Sequence, residues 1–239
     1  MSKNVIGGVV AIALVLVVGL VSLQLFNKDD KPDESALGGS ATEVATLLKG
    51  IPQNGAVLGN PDAPVTIVEF VDFKCPVCAA ASEDLVPKII DRYVKPGDAK
   101  LELRPILLGA EANQGTSVLG ADSEIGALGA LAIADQNLMW NYAEVLFRNQ
   151  GNENDSWLNR DLVRSVVGAV GADTAKWDTE YDGNGVVERL LANNDAATAA
   201  QYRGTPHFQV TGPGGSENAE YTGGIEPITE AVDKVATKK

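Results

Sequence analysis

The apolar residues of this chain change their spacing several times, and each change marks an element. From Val5 to Phe26 they run without a charge. As a helix at about 1.5 Å per residue, that run reaches roughly 33 Å, enough to cross a hydrocarbon core of about 30 Å. Asn27 to Ser40 is rich in Lys, Asp, Pro, Gly and Ser and reads as a flexible tether. Val44, Leu47, Leu48 and Ile51 then recur at helical spacing and predict a short helix ending near Gly50. Turn signals follow at Pro52-Gln53-Asn54-Gly55 and Asn60-Pro61-Asp62-Ala63-Pro64. Val65 to Phe73 is β-branched and almost continuously apolar, the pattern of a strand covered on both faces.

Cys75 to about Val94 reads as a helix kinked at Pro87, and Leu101 to Leu107 as a second strand. From about Asp122 to Arg203 the period is helical. Leu162, Val163, Val166, Val167 and Val170 form one stripe there, and Trp140, Leu146 and Phe147 contribute to another. Trp140, Phe147 and Trp157 are expected in the core of that block. His207 to Val210 and Ala219 to Thr222 predict two strands, joined by a loop through Thr211 and Gly215. Ile228, Val232 and Val235 predict an amphipathic C-terminal helix. The order is that of a small mixed sheet interrupted by helices, an α/β fold. The domain plan is a membrane anchor at 1–26, a tether and short helix at 27–50, and one domain at 51–239 with a helical insertion at about 115–203.

The formal net charge is −13, which argues against nucleic acid or an anionic lipid surface as a partner. Around the N-terminal run, Lys3 precedes it and Lys28 and Lys31 follow among aspartates, so orientation rests on the short leading segment, read as cytoplasmic. A cleaved signal peptide is the rival. Its apolar region would span about 7–15 residues and end in a small-x-small site, which Val21-Ser22-Leu23-Gln24-Leu25 does not offer. Either way the domain lies outside the cytoplasm, where disulfides persist. The expectation is a single-pass membrane protein with an extracytoplasmic domain.

Both cysteines of the chain, Cys75 and Cys78, sit in Phe73-Lys74-Cys75-Pro76-Val77-Cys78. At i and i+3 of a helix they share a face, close enough for a reversible disulfide. A strand leading into Cys-x-x-Cys at a helix start is the arrangement of a thioredoxin-like redox site. Half of a zinc site is the competing reading, but zinc takes three or four protein ligands and the chain has two cysteines and one histidine. No metal and no organic cofactor are expected. Glu153-Asn154-Asp155 lacks the ligand spacing of a calcium loop.

Four segments together resemble the DsbA-like thiol–disulfide oxidoreductases, thioredoxin-fold proteins with a helical insertion. They are Leu58 to Val65, Glu69 to Cys78, Trp140 to Gln150, and Gly204-Thr205-Pro206-His207-Phe208, and the resemblance covers roughly residues 51–238. It implies that Pro206 is cis and faces the dithiol, with the Thr205 backbone presented for strand-like pairing with a substrate peptide. It also implies that Glu69 is a buried acid moving protons to and from Cys78, rather than an edge-strand charge. The chain departs from the family at Val77, where its strongest oxidants carry histidine, so a weaker oxidant is expected.

Cys75, at the first turn of its helix, is expected to be the exposed, low-pKa sulfur, with Cys78 buried one turn inward. Pro76 suits the first helical turn. Lys74 is expected to be exposed and to add little. Arg104 is a candidate partner for Glu69, and His207 either a plain strand residue or a rim residue tuning Cys75. The function expected is oxidation of free thiols in secreted or unfolded polypeptides, recharged by a membrane redox partner such as a quinone-linked oxidase. The alternatives are a tethered reductase or isomerase and, in another class, a thioredoxin-fold metal carrier or chaperone-like module.

Overall fold

The computed structural model describes residues 34–236. The Val5–Phe26 run, and with it the expected anchor, lies outside the described residues. Among these no helix is long and apolar enough to cross a membrane.

The described chain opens with helix α1 (Glu34–Leu47). It takes in residues 34–40, read from composition as tether. The reason is a stripe that begins earlier: Leu37, Ala41, Val44 and Leu48 are buried at helical spacing, while Gly38 and Gly39 fall on the exposed side. A hairpin of two short strands, β1 (Gln53–Asn54) and β2 (Val57–Leu58), then occupies the first turn signal.

Strand β3 (Val65–Val71) is the centre of a six-stranded sheet of order β1-β2-β4-β3-β5-β6. It pairs in parallel with β4 (Ala99–Pro105) and antiparallel with β5 (His207–Gly212). Strand β6 (Gly215–Glu220) closes the far edge. Its register pairs Gly212 with Gly215, so the turn is only Pro213-Gly214, and β6 starts four residues before the strand expected at Ala219. The turn is fixed from outside, since the Gly214 N–H donates to the Val235 carbonyl at 2.7 Å.

Between β3 and β4 the chain forms helix α2 (Pro76–Asp84), helix α3 (Val86–Ile89) and a π-helical turn (Ile90–Val94). The break at Leu85 answers the expected kink, because Pro87 has no N–H to offer the Glu83 carbonyl and its ring crowds it. Between β4 and β5 lies the helical block: α4 (Ser123–Ile133), α5 (Met139–Arg148), α6 (Arg160–Ala169), α7 (Thr174–Tyr181) and α8 (Asn184–Ala199). Helix α9 (Glu226–Val235) ends the fold, with Ile228, Val232 and Val235 buried.

The two faces of the sheet are covered by different cores. Val65, Ile67, Val71, Leu101 and Leu103 join a large cluster that includes Cys75, Cys78, Trp140 and Ile228. Val68, Phe70 and Ile106 join a small one with Ala197 and Ala200. Because side chains alternate along a strand, Glu69 belongs to the large cluster's face, the one that holds the cysteines.

Candidate active site

Strand β3 ends at Val71 because Asp72 leaves the ladder to make a turn. The Asp72 carbonyl accepts the Cys75 N–H at 3.0 Å. Its fully buried carboxylate accepts from the Lys74 N–H (2.9 Å), the Leu108 N–H (3.0 Å), the Ser117 hydroxyl (2.6 Å) and the Ser123 hydroxyl (2.5 Å). Four donors on one carboxylate lock the segment that carries the cysteines. Gln150 holds its other side, donating to the carbonyls of Phe73 (2.9 Å) and Cys75 (3.1 Å). Cys75 then caps α2, with Pro76 as its first residue.

Both sulfurs are free thiols and both are buried, Cys75 at 5% exposure and Cys78 at 0%. Cys75 was expected to be exposed. It is covered because the loop before β5 folds over it: the Thr205–Pro206 bond is cis, and the Cys75 Sγ donates to the Thr205 carbonyl oxygen at 3.2 Å. Beside this contact an open cleft of about 180 Å³ is lined by Val77, Arg203, Thr205, Pro206, Glu220 and Tyr221. Val77, the second residue of α2, is 46% exposed at its rim.

The two thiols differ sharply in acidity. A hydrogen bond from Cys78 does most to lower the Cys75 pKa to about 6; burial opposes it, and the Thr205 side chain and the N–H groups of Cys78 and Val77 assist. Burial pushes Cys78 well above its ordinary value, and the neighbouring Cys75 sulfur adds to the rise. The Thr205 hydroxyl is buried without a partner in this dithiol form, and it favours the thiolate of either cysteine. One sulfur is thus an anion at neutral pH and the other a firmly protonated thiol.

A match to the Thioredoxin family model spans residues 52–218. The chain belongs to the thioredoxin family. Within it, the chain is 26% identical over 211 residues to the probable disulfide bond formation protein D of Bacillus cereus, covering 87% of each. It is 30% identical over 132 residues to disulfide bond formation protein D of Bacillus subtilis, covering 54% of this chain and 53% of that one. Among solved structures, oxidised BdbD from Bacillus subtilis superposes with a TM-score of 0.63 at 23% identity, over 77% of this chain and 96% of that one. α-DsbA1 of Wolbachia pipientis gives 0.58 at 14%, over 78% and 91%. The protein is a DsbA-like thiol–disulfide oxidoreductase.

In this oxidoreductase several expected site residues take other places. Lys74 is 2% exposed: its ammonium donates to Asp122 at 2.7 Å and to the Asp155 carbonyl at 2.9 Å, turned toward the helical block. A lysine buried there requires a carboxylate, and Asp122 supplies it. Arg104 does not reach Glu69. The β3–β4 register sets it opposite Phe70, on the other face of the sheet, where its Nε donates to Glu102 at 2.7 Å. Glu69 is buried at 2% exposure and pushed up to about 8, chiefly by burial and then by the charge of Glu144. His207 is a buried residue of β5, beside Phe70, that also lines the cleft, with its pKa lowered chiefly by burial. Trp140 and Phe147 lie in the core, and Trp157 packs against it half-buried. Among the described residues no cluster of ligating side chains could hold a metal ion.

Asp72, Gln150, Ser82 and Glu144 escaped the sequence reading. Asp72 and Glu144 each interrupt an apolar run, which was the available signal.

Proposed function

We propose that this oxidoreductase acts outside the cytoplasm and introduces disulfides into secreted polypeptides through the Cys75–Cys78 pair. The contact between Cys75 and the Thr205 carbonyl beside an open cleft carries this reading. The cleft brings a peptide to the sulfur, and the Thr205 backbone offers it strand-like hydrogen bonds.

In the oxidised protein a substrate thiolate attacks Cys75. A mixed disulfide forms, the Cys75–Cys78 bond breaks, and Cys78 leaves with the electron pair. Burial makes the Cys78 thiolate unfavourable, so it takes a proton as it leaves. Glu69, protonated at neutral pH on the sheet face that carries the cysteines, is the donor. A second substrate thiolate then attacks the substrate sulfur of the mixed disulfide and releases Cys75. Because Cys75 is stable as a thiolate it is a good leaving group, which drives exchange toward oxidised substrate. Two substrate thiols lose two electrons and the Cys75–Cys78 disulfide gains them. A membrane redox partner, such as a quinone-linked oxidase, returns the pair to the disulfide; the Val5–Phe26 run would anchor the protein in the same membrane. No metal or organic cofactor enters any step.

The test is covalent trapping. Cys78→Ser should accumulate mixed disulfides through Cys75, identified by mass spectrometry, and the oxidised wild type should convert a peptide dithiol to its disulfide. Alkylation of acid-quenched cells should find Cys75 and Cys78 mainly disulfide-bonded at rest. A mainly reduced pair would replace the oxidase reading with a reductase.

A further inference from the structure

Gln150 lies just past the end of α5, and its place is fixed from both sides. Its N–H donates to the Phe147 carbonyl at 3.2 Å. The next residue, Gly151, packs so closely on Trp157 that a Cβ there would stand 2.6 Å from the indole Cγ. From this position the Gln150 Nε2 reaches the active-site segment and donates to the carbonyls of Phe73 at 2.9 Å and Cys75 at 3.1 Å. The Cys75 carbonyl is crowded. It also accepts the Cys78 N–H at 3.1 Å and the Ala79 N–H at 3.2 Å. A carbonyl oxygen has two lone pairs, so the three donors compete for it.

We propose that Gln150 is a positioning residue for disulfide exchange: by occupying the Cys75 carbonyl it leaves the Cys78 N–H to the Cys75 sulfur, and so favours the dithiol over the disulfide.

The Cys78 N–H has two acceptors on one residue, the carbonyl oxygen and the sulfur of Cys75. Sharing of this kind is common at helix ends. Its bond to the carbonyl is the tighter, less well-aligned type, whereas the Ala79 N–H closes the regular α-helical turn. With Ala79 and Gln150 on the two lone pairs, the Cys78 N–H turns toward the sulfur, where it is among the groups that favour the thiolate. Without the Gln150 amide, the carbonyl draws that N–H back. The disulfide carries no charge on Cys75, so the loss falls on the reduced protein. The Phe73 contact works differently, since it anchors the backbone in both redox forms alike.

This rests on the exchange mechanism proposed above and adds a residue to it. The test uses Gln150→Met, which keeps the reach of the side chain and removes the donor. Its Cys75 midpoint, read from thiolate ultraviolet absorbance, should rise from about 6 by about half a unit. Equilibration with glutathione should then move toward the protein disulfide by about two- to threefold at pH 7. At pH 5, where Cys75 is a thiol in both proteins, it should hardly move. The other ionisable groups near the sulfur are common to both proteins and cancel in this comparison: Asp72 and Lys74 on its own segment, Cys78 on α2, Glu69 on β3, and His207 and Glu220 at the cleft. Should Gln150→Met fail to fold, Gln150→Glu keeps the shape, sets a charged acceptor where the donor stood, and should raise the midpoint further. A folded variant with the wild-type midpoint, or with a glutathione shift as large at pH 5 as at pH 7, overturns the proposal alone and leaves Gln150 a structural anchor. A wild type that oxidises no peptide dithiol overturns the reading beneath it, and the Cys75 titration still reports whether Gln150 acts on the sulfur.

Discussion

Cys75 and Cys78 occupy one turn of one helix yet end on opposite sides of neutrality, and the cause is local. Cys75 sits at the start of α2, where the N–H groups of Val77 and Cys78 favour its thiolate, whereas Cys78 is enclosed by core and the Asp72 backbone and Thr205 side chain offset its burial only in part. The Cys78 thiol is the largest influence on Cys75. Removing that donor should therefore be felt next door: Cys78→Ala should raise the Cys75 pKa from about 6 toward the ordinary thiol range, read from thiolate ultraviolet absorbance against pH. Cys78→Ser, which retains a hydroxyl donor, should move it less. Equal titrations in the two variants would show that the helix N-terminus alone sets the value. Lys74 belongs to this scale too. The adjacent residue's charge is already spent on Asp122, so it is no substitute for the histidine found at the Val77 position in the strongest oxidants.

At the scale of elements, the helical block is fitted to the active-site segment by missing side chains. Gly126 and Gly129 lie on α4. A Cβ on Gly126 would stand 3.0 Å from the Phe73 Cβ, and one on Gly129 would collide with the Tyr142 hydroxyl. Tyr142 uses that closeness to donate to the Gly126 carbonyl at 3.2 Å and to pack edge-on against Phe73 at 5.9 Å. Gly129→Ala should then cost about 1–3 kcal/mol by overpacking, despite its better helix propensity, and guanidinium unfolding would measure it. A neutral or stabilising result would mean that Tyr142 swings aside. The same elements show what the sequence disclosed. Strand β3, the kinked active-site helix and the stripe of α6 were legible, because each is set by residues near in sequence. The early start of β6 at Gly215 and the pairing of Lys74 with Asp122 were not, since both depend on groups that meet only after folding. Arg104 was misassigned for want of a register: one residue's shift along β4 decides which face it takes.

Across the whole molecule these shifts combine into a dependence of stability on pH that reports the redox function. Burial raises Glu69 from 4.5 to about 8 and Glu144 from 4.5 to about 7. The folded protein holds their protons over ranges where the unfolded chain has released them, so stability falls as pH climbs from 4.5 through 8. Cys75 works the other way. Lowered from 9 to about 6, it is ionised in the folded reduced protein while still a thiol in the unfolded chain, so stability rises between pH 6 and 9. Only the reduced protein has this second contribution, because the disulfide does not titrate, whereas the carboxyls act in both forms. The stability of the reduced form minus that of the oxidised form should thus climb between pH 6 and 9, by at most about 1.4 kcal/mol per pH unit. It should turn down above 9, where the unfolded chain ionises Cys78 and the folded protein does not. Paired guanidinium titrations at pH 5, 7 and 8.5, with and without reductant, would trace the difference. A flat difference would remove the thiolate as the source of oxidising power, since the free energy that favours the folded reduced form is the same one that makes the folded disulfide easier to reduce than the unfolded one.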